Sequence, residues 1–272
     1  MKLIIFTHAN SFPASTYRVV FRSLRARGFT VKAIDKVGHD PAYPVTNNWP
    51  HLVRQLVDFA GPVIAEHGDG AWLVGHSLGG YLSTLLAARH PVLGGHKFKG
   101  VVLLDSPLIG GWKARALQFA KNTPLIEQMS PSRVSRTRRN SWPSREEALA
   151  NFAAKKVFAR WYPQVLHDYI QHGLVEDRGK FRLAFDRDVE TAIYNTVPHH
   201  FDGYLKRHPL QCPLAFVGGQ YSRELKQVGS ALTTKIAQGR MSMMPGSHLF
   251  PMEHPLETAT EIERVIGEMR IP

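Results

Sequence analysis

The chain has 272 residues, 43% of them hydrophobic, which is enough to bury one sizeable core. Charged residues make up 21% of the sequence, and this balance argues against a disordered polyampholyte. The formal net charge is +12, but the densest basic cluster lacks interleaved aromatic residues that could stack on bases, so we expect no nucleic-acid partner; the cluster consists of Arg133, Arg136, Arg138 and Arg139.

The cysteine count and the N-terminal segment bear on the cellular compartment. Cys212 is the only cysteine, so an internal disulfide is excluded and a reducing compartment fits. The apolar run that ends at Phe6 is too short for a secretion signal. No stretch approaches the ~20 apolar residues of a membrane span. We therefore expect a cytoplasmic protein with no membrane partner.

The first third of the chain alternates short apolar runs with segments of helical periodicity. In chain order, the patterns predict a strand over Lys2 to Thr7, a helix over Ser15 to Arg27, a strand over Phe29 to Asp35, a helix over Trp49 to His67 interrupted at Gly61-Pro62, a strand over Ala71 to Gly75, a helix over Leu78 to Arg89 and a strand over Gly100 to Asp105. Continuous apolar strands that alternate with helices are typical of a parallel sheet with helices on both faces. The predicted fold class is therefore α/β.

The pattern changes after Pro107. From about residue 110 to residue 208 no clear apolar strand is found, and the composition is that of helices rich in arginine, tryptophan and phenylalanine, broken by prolines. Strand patterns return over Pro213 to Gly218 and Arg240 to Met244, and a helix follows over Leu256 to Met269.

This change predicts two structural parts. Residues 1–109 and 209–272 form the α/β core, and residues 110–208 form a helical cap inserted at the edge of the sheet. A long interruption without strands inside an α/β pattern is typical of an insertion. The alternative is that the middle segment belongs to the main core.

The strongest chemical signal is Gly75-His76-Ser77-Leu78-Gly79, a G-x-S-x-G motif. It follows an apolar strand and opens a helix, which is the context that a nucleophile elbow requires. A serine on so sharp a turn has strained backbone geometry, and side chains at Gly75 and Gly79 would collide with neighbouring chain. The turn presents the Ser77 hydroxyl at the carboxyl end of the sheet, and the N–H of Leu78 lies at a helix N-terminus, where it can stabilise an oxyanion. His76 is interpreted as a packing residue.

With this motif in place, the chain resembles the α/β-hydrolase superfamily, in its lipase- and esterase-like branch with a helical cap. The stretches that carry the resemblance are FTHANSF (6–12), IDKVGHD (34–40), LVGHSLGG (73–80), VVLLDSP (101–107) and MPGSHLFPMEHP (244–255). They occur in the family's order and at its usual spacing, in both core segments. The resemblance implies an α/β-hydrolase fold with a mostly parallel central sheet.

The resemblance also implies a general base. A hydroxyl becomes a good nucleophile only when a neighbour removes its proton, and imidazole is suited to this near neutral pH. His248 follows the last predicted strand, in a loop like the one that carries the family's catalytic histidine. His254 lies nearby and is interpreted as structural.

The second oxyanion donor is implied in the same way. The family's His-Gly-x loop corresponds to His8-Ala9-Asn10, so the N–H of Asn10 is expected to act beside that of Leu78. Ala9 departs from the family's glycine. His8 is interpreted as a residue that bonds within this loop.

The acid of the triad is the member that the sequence leaves open. The family usually has an aspartate after the strand predicted over Pro213 to Gly218, but Tyr221 or Ser222 occupies its place here. Some branches of the superfamily supply the acid at the end of the preceding strand, where this chain has Asp105. We therefore favour Asp105 and keep Glu224 as the alternative acid.

These residues predict a serine hydrolase that cleaves carboxylic esters of a small, partly apolar substrate through an acyl-enzyme. Two alternatives stay open: a carbon–carbon bond hydrolase or thioesterase on the same triad, and a non-catalytic binding protein on a hydrolase scaffold. The sequence has no zinc-type spacing of cysteine and histidine and no phosphate-binding loop, so we expect neither a metal nor a cofactor. The expected partner is a small-molecule ester, and a homodimer is the assembly left open.

Overall fold

Six apolar segments of the chain pair as one parallel sheet. The computed structural model describes residues 2–121, 123 and 132–269. Its strands are β1 (Lys2–Thr7), β2 (Phe29–Ala33), β3 (Ala71–His76), β4 (Val92–Leu93), β5 (His96–Lys97), β6 (Gly100–Leu104), β7 (Ser141–Trp142), β8 (Leu174–Asp177), β9 (Lys180–Leu183), β10 (Leu214–Gly219) and β11 (Met241–Met244). The sheet has the order β11-β10-β6-β3-β1-β2, and all of its neighbouring strands are parallel. The predicted α/β class with a parallel central sheet is confirmed.

Helices cover both faces of this sheet. They are α1 (Arg18–Ala26), α2 (Pro50–His67), α3 (Leu78–Arg89), α4 (Gly111–Ala120), α5 (Ser132–Thr137), α6 (Arg145–Ala153), α7 (Pro163–Gly173), α8 (Arg187–Asn195), α9 (Phe201–Arg207), α10 (Arg223–Val228), α11 (Ala231–Ala237), α12 (Phe250–Glu253) and α13 (Pro255–Glu268), with 3-10 helices at Ala14–Tyr17 and Phe158–Arg160. Ile4 of β1 lies in a hydrophobic cluster with Val20 of α1 and Ile262 of α13. Its neighbour Ile5 lies in a second cluster with Leu56 of α2, because successive strand residues point to opposite faces. No helix in the described ranges is both long and apolar enough to cross a bilayer.

The helix α2 runs through the interruption that the sequence predicts. Pro62 lies inside it, although proline removes a hydrogen bond from a helix interior. The side chains of Leu52, Leu56 and Ile64 are buried in the cluster that contains Ile5. Burial of this face outweighs the local preference of the Gly-Pro pair, so the predicted break is wrong.

The segment from residue 110 to residue 208 is not wholly helical, contrary to the prediction. It contains a three-stranded antiparallel sheet with the order β7-β9-β8. These strands are short and half of their residues are exposed. Their buried side chains are Trp142, Leu174 and Leu183, so the strands leave no apolar run in the sequence. Phe152 and Tyr169 of this segment lie in the same hydrophobic cluster as α1. The division into core and cap therefore remains a prediction.

Candidate active site

Ser77 lies on a sharp turn between β3 and α3. Its backbone has φ 53° and ψ −115°, a strained conformation for a residue with a side chain, of the kind that costs roughly 1–3 kcal/mol. The N–H of Ser77 donates to the carbonyl oxygen of Leu104 at 3.1 Å, and its own carbonyl accepts from the N–H of Gly80 at 3.0 Å. These bonds hold the serine at the carboxyl end of the central strands.

The two glycines of the motif let neighbouring backbone pass. A Cβ on Gly79 would lie 1.9 Å from the carbonyl oxygen of Thr7, and a Cβ on Gly75 would lie 2.2 Å from the carbonyl oxygen of Gly79. Backbone atoms in a close-packed interior cannot move aside as the end of a flexible side chain can. Both positions therefore require glycine, for the steric reason that the motif suggests.

The His248 ring is paired with Asp105 rather than with Glu224. Its Nδ1 lies 2.6 Å from Oδ2 of Asp105, but 3.9 Å from the nearer carboxylate oxygen of Glu224. Asp105 directly follows β6 and is completely buried. Its carboxylate also accepts hydrogen bonds from the N–H of Gly219 at 2.7 Å and from the hydroxyl of Ser222 at 2.5 Å. Three donors therefore stabilise a buried negative charge.

These contacts shift the pKa of both partners away from their ordinary values. Burial by itself would lower the pKa of His248, but the hydrogen bond to Asp105 and the negative charge of Glu224 outweigh it, and the pKa is raised above 6.5. Burial would raise the pKa of Asp105, but His248, Ser222 and the N–H of Gly219 hold it below 3.8. The pair therefore favours an ionised Asp105 beside a histidine that titrates above its usual range.

Glu224 is a second carboxylate beside this pair. Its side chain is 47% exposed, whereas that of Asp105 is 0% exposed. Within the described part of the chain, one group of side chains has ligand atoms close enough together to hold a metal ion, all within 4.8 Å of one another. This group consists of Asp105, Glu224 and His248. Nδ1 of His248 and Oδ2 of Asp105 already satisfy each other, so a metal would have to displace their hydrogen bond.

A cavity of about 430 Å³ brings the predicted residues together. Those that line it are Asn10, Ser77, Leu78, Asp105, Glu224 and His248. Much of the remaining wall is apolar and includes Trp49, Tyr81, Ile109, Leu117, Ile193 and Val197. Part of this wall comes from α4 and α8, so the middle segment of the chain contributes to the same cavity as the sheet edge.

The loop that carries Asn10 is anchored to α8. The side-chain amide of Asn10 donates to the carbonyl oxygen of Glu190 at 3.1 Å. The hydroxyl of Ser11 donates to the Glu190 carboxylate, which is buried and forms an ion pair with Arg138. Sequence reasoning missed Glu190 and assigned Arg138 only to a basic cluster. The contact from Asn10 to Glu190 joins positions 180 residues apart, and no local pattern marks it.

Two buried histidines support the site from behind. Nδ1 of His8 lies 2.8 Å from the carbonyl oxygen of Ala9, and Nε2 of His8 accepts from the N–H of Val37 at 2.9 Å. Burial lowers the pKa of His8 to about 4, so the ring stays neutral near pH 7. His76 is also fully buried, and its ring contacts the backbone of His248.

Comparison with known proteins defines the class. A model of the alpha/beta hydrolase family matches residues 4–261, and the chain therefore belongs to this family. A curated relative is the pyrethroid hydrolase of Sphingobium wenxiniae, which is 32% identical over 108 residues, covering 39% of this chain and 36% of the relative. The chain spans about a third of the length of the curated relatives it matches.

Solved structures share the fold at lower identity. E-2-(acetamidomethylene)succinate hydrolase superposes with a TM-score of 0.70 at 22% identity, over 98% of this chain and 91% of that chain. The thioesterase domain from the curacin biosynthetic pathway superposes with a TM-score of 0.70 at 17% identity, over 96% of this chain and 91% of that chain. An esterase of M. tuberculosis superposes with a TM-score of 0.68 at 22% identity, over 97% and 84%. At these identities the likeness concerns the fold.

We expect Gly79→Ala to destabilise the protein severely, because the added Cβ would meet the Thr7 carbonyl oxygen. Thermal unfolding should show a loss of at least about 3 kcal/mol, or roughly 10 °C in Tm. The matched control is Gly267→Ala in α13, where an added Cβ meets no atom within 4 Å. Equal Tm values for the two variants would contradict the steric account of the turn.

We expect Glu224→Gln to lower the pKa of His248, because the substitution removes a negative charge that favours the protonated ring. The pKa is read from the pH dependence of the ring-proton NMR signals. Wild-type protein should titrate above 6.5 at this residue, and the exposed Glu257→Gln variant on α13 should match it. A His248 pKa that is the same in all three proteins would show that Glu224 has no influence on the ring.

Proposed function

We propose that this chain is a serine hydrolase that cleaves carboxylic esters of a small, partly apolar substrate. The observation that carries the proposal is that Ser77, on its strained turn, and the paired His248 and Asp105 line one cavity. A hydroxyl, an imidazole and a carboxylate in this order are the groups that acyl transfer through a serine ester requires.

The proposed reaction begins when the hydroxyl of Ser77 attacks the ester carbonyl carbon and Nε2 of His248 takes the hydroxyl proton. The Nδ1–H of His248 donates to the ionised Asp105, which stabilises the imidazolium. The tetrahedral intermediate collapses as Nε2–H gives its proton to the leaving alcohol. Water then attacks the acyl-serine by the same proton transfers, which releases the acid and restores the free hydroxyl.

The oxyanion of each tetrahedral intermediate would accept hydrogen bonds from the N–H groups of Leu78 and Asn10. Leu78 is the first residue of α3, and the N-terminus of a helix favours negative charge. The hydrogen bond from the Asn10 side chain to Glu190 restrains the loop that carries the second donor. Each such donor contributes about 10²–10³ in rate in enzymes where it has been removed.

The cavity supports a substrate of moderate size with an apolar part. Its volume of about 430 Å³ lies near the lower end of the range for small-molecule sites. Aromatic and aliphatic side chains such as Trp49, Ile109 and Val197 form much of its wall. The Sphingobium relative is named for the hydrolysis of pyrethroids, which are esters, and this supports an ester substrate here.

We also infer that residues 110–208 act as a cap over this cavity. Leu117, Ile193 and Val197 of this segment line it, together with residues that belong to the sheet edge. The segment would therefore determine which acyl and alcohol groups fit, whereas the turns at the sheet edge supply the reacting groups.

We expect Ser77→Ala to lower kcat/KM on nitrophenyl esters by more than about a thousandfold, because the variant has no nucleophile. A fluorophosphonate probe should label the wild-type protein at Ser77 and leave the variant unlabelled. Ser83→Ala is the control, since Ser83 lies on α3 outside the cavity wall and its buried hydroxyl has no hydrogen-bond partner among the described residues. Turnover that survives in Ser77→Ala would exclude the proposed mechanism.

We expect Asp105→Asn to lower kcat by about 10³–10⁴-fold, because an amide cannot hold Nδ1–H of His248 in the required tautomer or stabilise the imidazolium. Glu224→Gln should retain kcat within about tenfold, since its carboxylate is 3.9 Å away and half exposed. Steady-state kinetics on one nitrophenyl ester compare the two variants. The reverse order of activities would make Glu224 the acid.

A further inference from the structure

A chain of hydrogen bonds runs behind the active-site turns, outside the cavity wall. The N–H of Ala9 lies 3.1 Å from the hydroxyl oxygen of Tyr17. The same hydroxyl lies 2.7 Å from Nδ1 of His76, and Nε2 of His76 lies 2.8 Å from the carbonyl oxygen of His248. Tyr17 is 1% exposed and His76 is 0% exposed, so solvent does not compete for these bonds.

The chemistry of the end groups fixes the direction of every bond. The N–H of Ala9 can only donate, so the oxygen of Tyr17 accepts there. The carbonyl of His248 can only accept, so Nε2 of His76 carries its hydrogen. In the neutral ring Nδ1 is then an acceptor, and it takes the hydrogen of the Tyr17 hydroxyl. This single arrangement gives every group in the series of hydrogen bonds a partner.

Both side chains stay neutral across the range in which an esterase works. Burial and, to a smaller extent, the nearby positive charge of protonated His248 lower the pKa of His76 to about 3. Burial also raises the pKa of the Tyr17 hydroxyl well above its usual range. The hydrogen-bond directions therefore do not change between acid and mildly alkaline solution.

These hydrogen bonds join the three loops that carry the proposed reacting groups. Ala9 directly precedes Asn10, His76 directly precedes Ser77, and the final acceptor is the backbone of His248 itself. We propose that Tyr17 and His76 are positioning residues. They hold the loop that carries His248 at a fixed place relative to the turn that carries Ser77 and the loop that carries Asn10. The proposal rests on the proposed function.

This role explains why the residue before Ser77 is polar although it is buried. A buried imidazole without partners costs free energy, and an apolar side chain of similar size would pack without that cost. His248 is held at its ring by Asp105 and at its carbonyl by His76, and these two contacts together orient Nε2. A misplacement of about 1 Å between reacting groups can cost on the order of 10²-fold in rate.

The first test removes the hydroxyl at the centre of the chain. Tyr17→Phe should lower kcat by about tenfold or more and change KM by less than about threefold, because the cavity wall is unaltered while the reacting groups lose their alignment. Affinity for a trifluoromethyl ketone, which forms a tetrahedral adduct with the serine, should fall by about the same factor as kcat.

The control is Tyr169→Phe. Tyr169 is a buried tyrosine of the same hydrophobic cluster, and its hydroxyl forms no hydrogen bond to Ala9, His76 or His248. It should keep wild-type kcat and trifluoromethyl ketone affinity. If the hydroxyl of Tyr17 had only a structural role, Tyr17→Phe would have a lower Tm, but the folded fraction would keep wild-type kcat and inhibitor affinity.

The second test separates the two ends of the His76 ring. Glutamine can place an N–H near the position of Nε2 and so keep the bond to the His248 carbonyl, whereas asparagine can place its oxygen near Nδ1 and keep only the bond from Tyr17. His76→Gln should therefore retain more kcat than His76→Asn. This comparison of the two His76 variants also tests the proposal if Tyr17→Phe does not fold.

The outcomes are distinguishable from failure of the hydrolase proposal. Wild-type protein that resists fluorophosphonate labelling at Ser77 overturns both proposals. Labelled wild-type protein with equal kcat in Tyr17→Phe and Tyr169→Phe, or with His76→Asn at least as active as His76→Gln, overturns the positioning role alone.

Discussion

The hydrogen bond between Asp105 and His248 joins residues that are 143 positions apart in the chain. They follow β6 and β11, which lie on either side of β10 in the sheet. Because parallel strands end at the same edge, the fold brings these distant residues within 2.6 Å of one another. The N–H of Gly219, at the end of β10, donates to the same carboxylate and ties the three neighbouring strands together at this edge. The proposed chemistry depends on this contact, since it decides which way the imidazole faces.

Two of the residues that the proposed chemistry uses have strained backbone conformations. Ser77 has φ 53° and Asp105 has φ 43°, both in the left-handed region that favours glycine. Such conformations cost roughly 1–3 kcal/mol each and persist only where the surrounding structure determines them. Here the determining contacts are backbone bonds: the N–H of Ser77 to the Leu104 carbonyl, and the N–H of Asp105 to the Val217 carbonyl. The packed sheet therefore maintains two local conformations that neither segment would favour alone.

The sequence was sufficient for features with a local cause and insufficient for those that depend on distant contacts. Continuous apolar runs predicted the six strands of the sheet, and the spacing of the motif marked Ser77. The choice between Asp105 and Glu224 was open because it depends on loop geometry across 143 positions. The antiparallel sheet of the middle segment was missed because only three of its side chains are buried, one in each strand. His76 was interpreted as packing because its partner Tyr17 lies 59 positions away.

A crystal structure of the protein after reaction with an alkyl fluorophosphonate tests the arrangement most directly. The account predicts phosphorus bonded to Oγ of Ser77, with its phosphoryl oxygen accepting from the N–H groups of Leu78 and Asn10. The ring of His248 should remain paired with Asp105 and turn Nε2 toward the modified serine. Phosphorus on a different residue, or a phosphoryl oxygen that points away from both N–H groups, would contradict the account.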